Sequence, residues 1–409
     1  MNQFTPLDGK KVLLIVTGGI AAYKACSLVR DLRRSKVDVR VVMTDHAAKF
    51  VAPLTFATLT GHPVNVEMFP DSAPPEPIHL EPVEWADALV VAPATANFIG
   101  KMASGIADDL ASTIALAYRG KTLVAPAMNP RMWDNPAVQR NLGMLYENGV
   151  DFVGPELGAM AGVKEKPGYG RMSEPEAILA KLEELVFENK FLLGRSVLVT
   201  TGPTREAIDP VRYISNRSSG RMGDAVARVA AICGAQVTLI RGEGSVGEPP
   251  AGVGVVTVSS AAEMASAVKQ YFKSSVLLVM TAAVADWTVS KPADQKLKKH
   301  QGVPAFELTP TEDILAWAGK NRKCQVVAGF ALETENHQAT AREKLKRKDI
   351  HLIALNDPTR ADSKFGGDST QLTLISHDGA EVQLPVGSKQ SAAYELLKNA
   401  ARFLPECAD

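Results

Sequence analysis

The sequence predicts an α/β protein of two domains, each a mainly parallel sheet wrapped by helices. Three observations carry this. Short β-branched runs alternate with amphipathic stretches along nearly the whole chain, the pattern of strand–helix–strand crossovers. The 409 residues suffice for two or three domains with cores of their own. The pattern also restarts half-way: Gly9-Lys10-Lys11-Val12-Leu13 is echoed by Gly194-Arg195-Ser196-Val197-Leu198. The halves diverge after this strand, which marks a second independent domain and not a tandem repeat. The boundary falls at Phe191, giving domains 1–190 and 191–409.

In the first domain Lys11–Thr17 reads as the opening strand and Ile20–Ser35 as an amphipathic helix, followed by a second strand, Val37–Met43. Ala88–Ala92 and Thr122–Ala125 are further buried strands, each ending in a polar or Gly/Pro turn. Helices Asp108–Tyr118 and Pro136–Asn148 fill the gaps. Pro175–Asn189 closes the domain with the mixed charges Lys181, Glu183 and Glu184 of a solvated face. In the second domain the strands are Val197–Thr201, Gln236–Ile240, Val276–Met280, Val326–Phe330 and His351–Leu355. Its helices include Met222–Cys233, Ala261–Phe272, His337–Lys348 and Ser388–Phe403, the last with Ser388 placed to cap its N-terminus. The Pro/Gly-rich stretches Pro70–Pro77, Gly154–Gly170 and Gly242–Gly254 read as loops.

Composition excludes several function classes. Lys+Arg and Asp+Glu number 45 each, so no net field steers the chain to nucleic acid or anionic lipid. Aromatics at 6% are thin for a platform that stacks single strands. Cys26, Cys233, Cys324 and Cys407 are scattered without CxxC spacing, which predicts a reducing compartment and no zinc knuckle. No run approaches the ~18 apolar residues of a membrane span. Val12–Val16 is too short for a signal-peptide core. A soluble, cytoplasmic protein is expected.

In open α/β sheets ligands bind beyond the carboxyl ends of the strands, so chemistry is sought in the loops there. The first strand runs into Thr17-Gly18-Gly19-Ile20-Ala21-Ala22-Tyr23-Lys24, where two glycines let backbone N–H groups approach a phosphate. A plain tight turn is the alternative. Ala92-Pro93-Ala94-Thr95-Ala96-Asn97 supplies a hydroxyl and an amide suited to a ring edge or phosphate. Pro126-Ala127-Met128-Asn129-Pro130-Arg131-Met132-Trp133 sets an Asn between prolines. Upstream, Ile78-His79-Leu80 carries a histidine that is either catalytic or structural. In the second domain Lys344 and Lys348 are four apart on a predicted helix and able to grip one polyphosphate. Their neighbours Arg342, Lys346 and Arg347 equally suit a solvated basic face. Gly242-Glu243-Gly244-Ser245-Val246-Gly247 fits GxGxxG, but Pro249-Pro250 follows where a helix must open, so it is no dinucleotide fingerprint. The 7 histidines show no paired ligand spacing, and no structural metal site is found.

Taken in order, GGIAAYK, the IHL…WAD stretch, APATAN, PAMNPRMW and GYGRM resemble the homo-oligomeric flavin-containing cysteine decarboxylases. Thr201–Glu206, Asp209–Asn216, Ser218-Ser219-Gly220, Ala282–Asp286, Lys296-Leu297-Lys298-Lys299 and Gly329–Thr334 are similar to the phosphopantothenate–cysteine ligase signature. The resemblance implies two Rossmann-like domains, the first flavodoxin-like, in a bifunctional enzyme of coenzyme A biosynthesis. The ligase would join 4'-phosphopantothenate to cysteine with CTP and Mg2+, through an acyl-cytidylate. The decarboxylase would then yield 4'-phosphopantetheine on FMN. Loss of CO2 from an unactivated carbon needs an electron sink, which oxidation of the neighbouring CH2–SH creates.

Residue by residue, the resemblance implies FMN at Gly18, Gly19, Ile20, Thr44, Thr95 and Asn97. It makes His79 the catalytic base and Asn129 the holder of the substrate carboxylate. Nucleotide contacts fall to Asp286, Lys296, Phe330, Lys344 and Lys348, and to the triphosphate-side loop Thr311-Glu312-Asp313-Ile314, which stands where the family usually has Asn-Pro-Asp-Ile. Asn216 would bind the acyl-cytidylate, and Lys296 would stabilise charge as it forms or collapses. The family's flap cysteine, a proton donor, is missing from Gly158–Met172. Lys164, Glu165 or Tyr169 replaces it, solvent protonates the intermediate, or only the ligase half is active. A decarboxylase acting on a peptide or another thiol, fused to an unrelated domain, is the other reading. For assembly, the first half implies trimers with FMN near subunit boundaries and the second implies dimers. Both together close into a dodecamer.

Overall fold

The computed structural model describes residues 4–69, 78–160, 162, 166–298, 306–332, 337–356, 367 and 369–405. The loop read at Pro70–Pro77, flap residues Lys164 and Glu165, Lys299, Glu333-Thr334 and Cys407 lie outside the described residues. The chain forms two compact units: Thr5–Glu188, and the part from Asn189 onward together with Phe4. Phe4 stacks on Tyr394 at 4.7 Å between ring centroids.

The first unit runs β1 (Lys11–Val16), α1 (Ala22–Arg34), β2 (Asp38–Met43), α2 (Asp45–Ala48), α3 (Pro53–Thr60), α4 (Leu80–Trp85), β3 (Ala88–Ala94), α5 (Ala96–Ser104) and α6 (Leu110–Ala117). It continues with β4 (Lys121–Pro126), α7 (Pro130–Trp133), α8 (Pro136–Glu147), β5 (Asp151–Phe152), β6 (Glu156–Gly158), β7 (Gly168–Arg171) and α9 (Pro175–Val186). β1 is apolar without alternation because both faces are covered. Val12, Leu14 and Val16 join one core with Leu28 and Leu32 of α1 and Ile178 and Leu182 of α9. Leu13 and Ile15 join another with Phe98, Ile99 and Ile114 of α5 and α6. The sheet order is β2-β1-β3-β4-β5 and every pair is parallel, the flavodoxin-like order expected. The chain reverses direction across the sheet between β1 and β3.

One expectation is corrected. Gly154–Gly170 is not simply a loop, because β6 and β7 pair as an antiparallel hairpin. Gly168 and Gly170 make this possible. A Cβ at Gly168 would come within 2.7 Å of Pro130 Cγ, and one at Gly170 would collide with the Met128 carbonyl. The glycine pair thus lets β7 lie flat on the Met128–Pro130 turn.

The second unit contains β8 (Ser196–Thr201), β9 (Arg205–Ala207), β10 (Tyr213–Ser215), α10 (Arg221–Ile232), β11 (Gln236–Gly242), β12 (Gly254–Val258), α11 (Ala261–Phe272) and β13 (Leu277–Met280). Then come β14 (Trp287–Val289), β15 (Leu308–Pro310), α12 (Ile314–Asn321), β16 (Val326–Leu332), α13 (His337–Arg347) and β17 (Leu352–Asn356). Short strands β18 (Ser369–Thr370), β19 (Leu372–Ser376), β20 (Glu381–Gln383) and β21 (Gly387–Ser388) precede α14 (Lys389–Ala401). The sheet order is β12-β11-β8-β13-β16-β17-β19-β20. Its first six strands are parallel, in the 3-2-1-4-5-6 sequence of dinucleotide-binding folds. β19 and β20 extend it antiparallel. Ser388 caps α14 by accepting the Ser391 N–H at 3.1 Å, as expected. The GxGxxG stretch leads into a strand, β12, and not a helix. Arg241 holds that turn, donating to the Val246 and Gly247 carbonyls at 3.3 and 2.7 Å. Among the described residues no helix is long and apolar enough to cross a membrane.

Candidate active sites

Each unit carries a cavity at its point of chain reversal. In the first, a cavity of about 1200 Å³ opens over the carboxyl ends of β1, β3 and β4. Thr17, wholly buried, laces two of these ends together. Its hydroxyl donates to the Pro93 carbonyl at 2.7 Å and accepts the Thr95 N–H at 3.1 Å. Gly18, Gly19, Ile20, Thr44, Thr95, Asn97 and Asn129 all line this space. Thr44 and Thr95 are also the N-caps of α2 and α5, which fixes where their hydroxyls stand. Asn129 caps α7, its side chain accepting the Arg131 N–H at 2.9 Å.

The glycine turn has a cause the sequence does not display. A Cβ at Gly18 would overlap His46 Cβ, so this glycine admits the start of α2 as much as any ligand. At Gly19 the nearest atom is Thr95 Cγ2, 3.5 Å away.

His79 is elsewhere. It is half-buried at the N-terminal end of α4 and is not among the residues lining the cavity of its own chain. Of the flap, Ala159, Met160, Gly162, Gly170, Arg171 and Met172 line the cavity; Tyr169 is exposed and does not. Sequence reading missed two charged constellations on the wall. Lys24, buried on α1, donates to the Met172 carbonyl at 3.1 Å and to Glu174 at 3.0 Å, tying β7's exit to α1. Burial would raise the Glu174 carboxyl, but Lys24 and Arg171 outweigh it and hold it below the usual range. Lys101 bridges Asp108 at 2.6 Å and Asp109 at 2.8 Å. Burial opposes ionisation of Asp109, yet the Lys101 and Ser112 donors prevail and lower its pKa. The Ala-Asp-Asp spelling before α6 was the available signal.

In the second unit a cavity of about 680 Å³ lies over the carboxyl ends of β13, β16 and β17, against the start of α10. Gly223 presses α10 onto the strand ends, since a Cβ there would collide with Thr201 and Thr281. Asn216, Asp286, Thr311, Glu312, Asp313, Ile314, Phe330, Lys344 and Lys348 all line the cavity. Asn216 donates to the Ala283 and Val284 carbonyls, each at 3.2 Å, so its amide nitrogen is committed to the wall. Lys344 and Lys348 are half-buried and face the cavity, while Arg342, Lys346 and Arg347 are exposed. The helix is therefore divided, not uniformly solvated. Lys348 pairs with Asp313 at 3.1 Å, and Glu312 with Lys269 at 2.6 Å. Burial pushes the Asp313 carboxyl up, but the Ala316 N–H and Lys348 bring it below its ordinary value.

Lys296 does not line this cavity; it is exposed in a segment without regular secondary structure. Its neighbour Leu297 is anchored, its N–H reaching buried Asp209 at 3.2 Å. Asp209 also accepts the N–H groups of Val211 and Arg212, each at 2.8 Å. Sequence reading missed Arg217, Thr281, Asn356 and Lys389 on the wall. Among the described residues no group of three or more His, Cys, Asp or Glu could hold a metal.

Comparison with known proteins follows this division. Residues 2–187 match the flavoprotein family, and residues 192–404 match the DNA/pantothenate metabolism flavoprotein C-terminal domain. The chain is thus a two-unit flavoprotein with one switch-point cavity in each unit. It is 43% identical over 398 residues to the coenzyme A biosynthesis bifunctional protein CoaBC of Bacillus subtilis (strain 168), covering 97% of both chains. It is 41% identical over 414 residues to that of Mycobacterium tuberculosis (strain CDC 1551 / Oshkosh), covering 97% of this chain and 98% of the relative. A crystal structure of the C-terminal domain of a CoaBC protein is 36% identical and has a TM-score of 0.45, covering 53% of this chain and 97% of that one. The chain belongs to the CoaBC family of coenzyme A biosynthesis bifunctional proteins.

Proposed function

We propose that the chain makes 4'-phosphopantetheine in two steps. It first ligates 4'-phosphopantothenate to cysteine at the expense of CTP, then decarboxylates the product with FMN. The observation that carries this is the full-length likeness to bifunctional relatives, 43% identity over 97% of each chain. Residues 1–190 take the decarboxylase role and 191–409 the ligase role.

The residues around the first cavity suit a flavin. Gly18 and Gly19 offer bare backbone, Thr44, Thr95 and Asn97 offer hydroxyl and amide groups, and Phe98, Met128 and Met172 offer apolar wall. Bound FMN supplies a two-electron acceptor and donor beside the substrate thiol. Asn129 orients the substrate carboxylate that leaves as CO2. His79 takes the thiol proton, and must reach the cavity from another copy of the chain. That requirement agrees with a homo-oligomer whose flavin lies near a subunit boundary, with a dodecamer as the closed form.

In the second cavity the acyl carboxylate attacks the α-phosphorus of CTP, forming the acyl-cytidylate and releasing pyrophosphate. The cysteine amine then attacks the acyl carbon and displaces CMP. Lys344 and Lys348 neutralise the charge that builds on the phosphates, with Lys296 closing over it. Phe330 and Asp286 hold the nucleoside, the Thr311–Ile314 loop lies on the triphosphate side, and Asn216 holds the acyl intermediate. Magnesium fits this site as a companion of the triphosphate and not as a caged ion, because Glu312 and Asp313 are already paired to lysines. The unpaired thiols Cys26, Cys233 and Cys324 suit a cytoplasmic setting.

Mass spectrometry of the products from 4'-phosphopantothenate, cysteine and CTP tests the reading. Equal amounts of pyrophosphate, CO2 and 4'-phosphopantetheine are expected. Accumulated 4'-phosphopantothenoylcysteine would leave only the ligase. Absent pyrophosphate would remove the ligase as well.

A further inference from the structure

His79 opens α4, and α4 is held unevenly. The backbone of His79 is itself helical, φ −86° and ψ −20°, so its Cα moves with the first turn. The far end of the helix is fixed twice. Val83 and Trp85 pack against the core that contains Leu13 and Ile15, and the Tyr118 hydroxyl donates to the Ala86 carbonyl at 3.3 Å. The first turn has Ile78 on the same core, but it stands beside a cavity of about 200 Å³ lined by Arg40, His62, Asn65, Glu81 and Pro82. Among the described residues its one ion pair joins Glu81 to Arg40 of β2. Arg40 Nη1 donates to both Glu81 oxygens, at 2.6 and 2.7 Å, and the guanidinium carbon lies 4.3 Å from the centroid of the Trp85 ring. One side chain thus grips both ends of the helix.

We propose that Arg40 is a positioning residue for His79: by holding Glu81 and Trp85 together it fixes the helical turn that presents the imidazole. The proposal rests on the reading of His79 as the base that takes the substrate thiol proton. Strand alternation puts Arg40 where it can do this. Val39 and Val41 enter one core, while Val42 enters the other, so Arg40 stands on the face of β2 opposite Val39 and Val41, the side on which α4 packs. Glu81 and Trp85 are four apart on α4 and share one helix face. The neighbouring histidine does not compete, because His62 Nε2 is 2.7 Å from Asp38. A planar guanidinium can stack on a ring and donate to a carboxylate at once, which a lysine ammonium cannot do as well. Arg40 does not line the first cavity, so it acts through the helix and not on flavin or substrate. A base must stand within hydrogen-bond reach of its proton. A turn that drifts therefore lowers the rate while leaving the imidazole itself intact.

The test is the rate of CO2 release from 4'-phosphopantothenoylcysteine by the full-length, flavin-loaded chain, with Arg40→Met and Glu81→Ala made in the parent and in His79→Asn. Arg40→Met is expected to lower kcat about tenfold, short of the roughly 10²-fold that a misplacement of about 1 Å costs. KM and bound flavin should stay within about twofold of the parent, because the cavity wall is untouched. Glu81→Ala, at an exposed position where folding is not at stake, should lower kcat in the same direction by about threefold, the effect of one surface ion pair. In His79→Asn neither change should lower the residual rate further, since there is no base left to place. Parental kcat in both variants overturns the proposal. So does a loss of flavin or a rise in KM that matches the fall in kcat, or an undiminished effect in the His79→Asn background, each of which marks a structural role. Parental decarboxylation by His79→Asn alone would instead overturn the reading of His79, and the proposal with it.

Discussion

The two cavities occupy the same place in related folds and are furnished for opposite ligands. Both open where a parallel sheet reverses its winding, and in both a glycine lets a helix or strand press onto the strand ends. In the first, Lys24 and Arg171 share Glu174 and Lys101 faces Asp108 and Asp109, and the remaining wall mixes methionine and phenylalanine with hydroxyl, amide and bare backbone, with Asp45 and His46 beside them. In the second, Lys344 on α13 and Lys348 just past its end, the latter paired with Asp313, line the cavity while Arg342, Lys346 and Arg347 are exposed. The first is suited to a large flat ring with a single anionic tail, and the second to a polyphosphate that loses part of its charge during reaction. The scaffold thus fixes where a ligand sits, while the loops decide what it is.

Breaking one cavity should leave the other working. The largest effect is expected from His79→Asn, which removes the general base of the proposed decarboxylation. Decarboxylation should fall by about 10²–10⁴-fold, so that 4'-phosphopantothenoylcysteine accumulates while pyrophosphate release keeps its parental rate. If the variant still forms 4'-phosphopantetheine at that rate, the role of His79 is wrong. Next come Lys344→Ala and Lys348→Ala, each expected to lower ligase kcat/KM by about 10²–10³-fold. Flavin absorbance should be untouched in both. A matching loss of bound flavin would mean that the units do not function separately.

A gentler comparison uses the glycines. Gly170→Ala drives a methyl into the Met128 carbonyl, and Gly223→Ala drives one between Thr201 and Thr281. Each is expected to cost about 1–3 kcal/mol as an overpacking strain. Gly170→Ala should weaken flavin retention and spare CTP binding, and Gly223→Ala should do the reverse. Equilibrium dialysis with each ligand reads both.

How far the fold was legible follows from where its information lies. Strands such as β1 and β8 are local, continuous apolar runs, and the sequence marks them to within a residue or two. Sheet order came through resemblance, because pairing is non-local. The β6–β7 hairpin was hidden because its glycines answer to Pro130 and Met128, far away in sequence. Gly18 is the sharper lesson. Its residue type suggests an opening for phosphate, whereas the contact that demands it is with His46. The strand-end residues Thr95, Asn97, Asn129 and Asn216 reach their cavities because strand ends are where such cavities form. His79 and Lys296 sit on segments outside the strand-end loops, and no single-chain pattern brings them in.

The smallest expected effect concerns the second unit alone, on the side of the sheet away from its cavity. His351 precedes β17, and its Nδ1 accepts the Val327 N–H at 3.2 Å. Burial, then the charges of Arg322 and His377, push its pKa down to about 4. In the unfolded chain it titrates near 6.5. Between these values the unfolded state binds the extra proton, so stability is whole above about pH 6.5 and drains away as pH falls toward 4. At pH 5 the loss amounts to roughly 1–2 kcal/mol, a shift of a few degrees in the melting of a unit this size. Scanning calorimetry at pH 7 and pH 5 should show the second unit's transition dropping, and His351→Gln should remove much of that drop. Glutamine can still accept the Val327 N–H but cannot take the proton. A variant that melts with the parent's pH dependence would place the titrating group elsewhere.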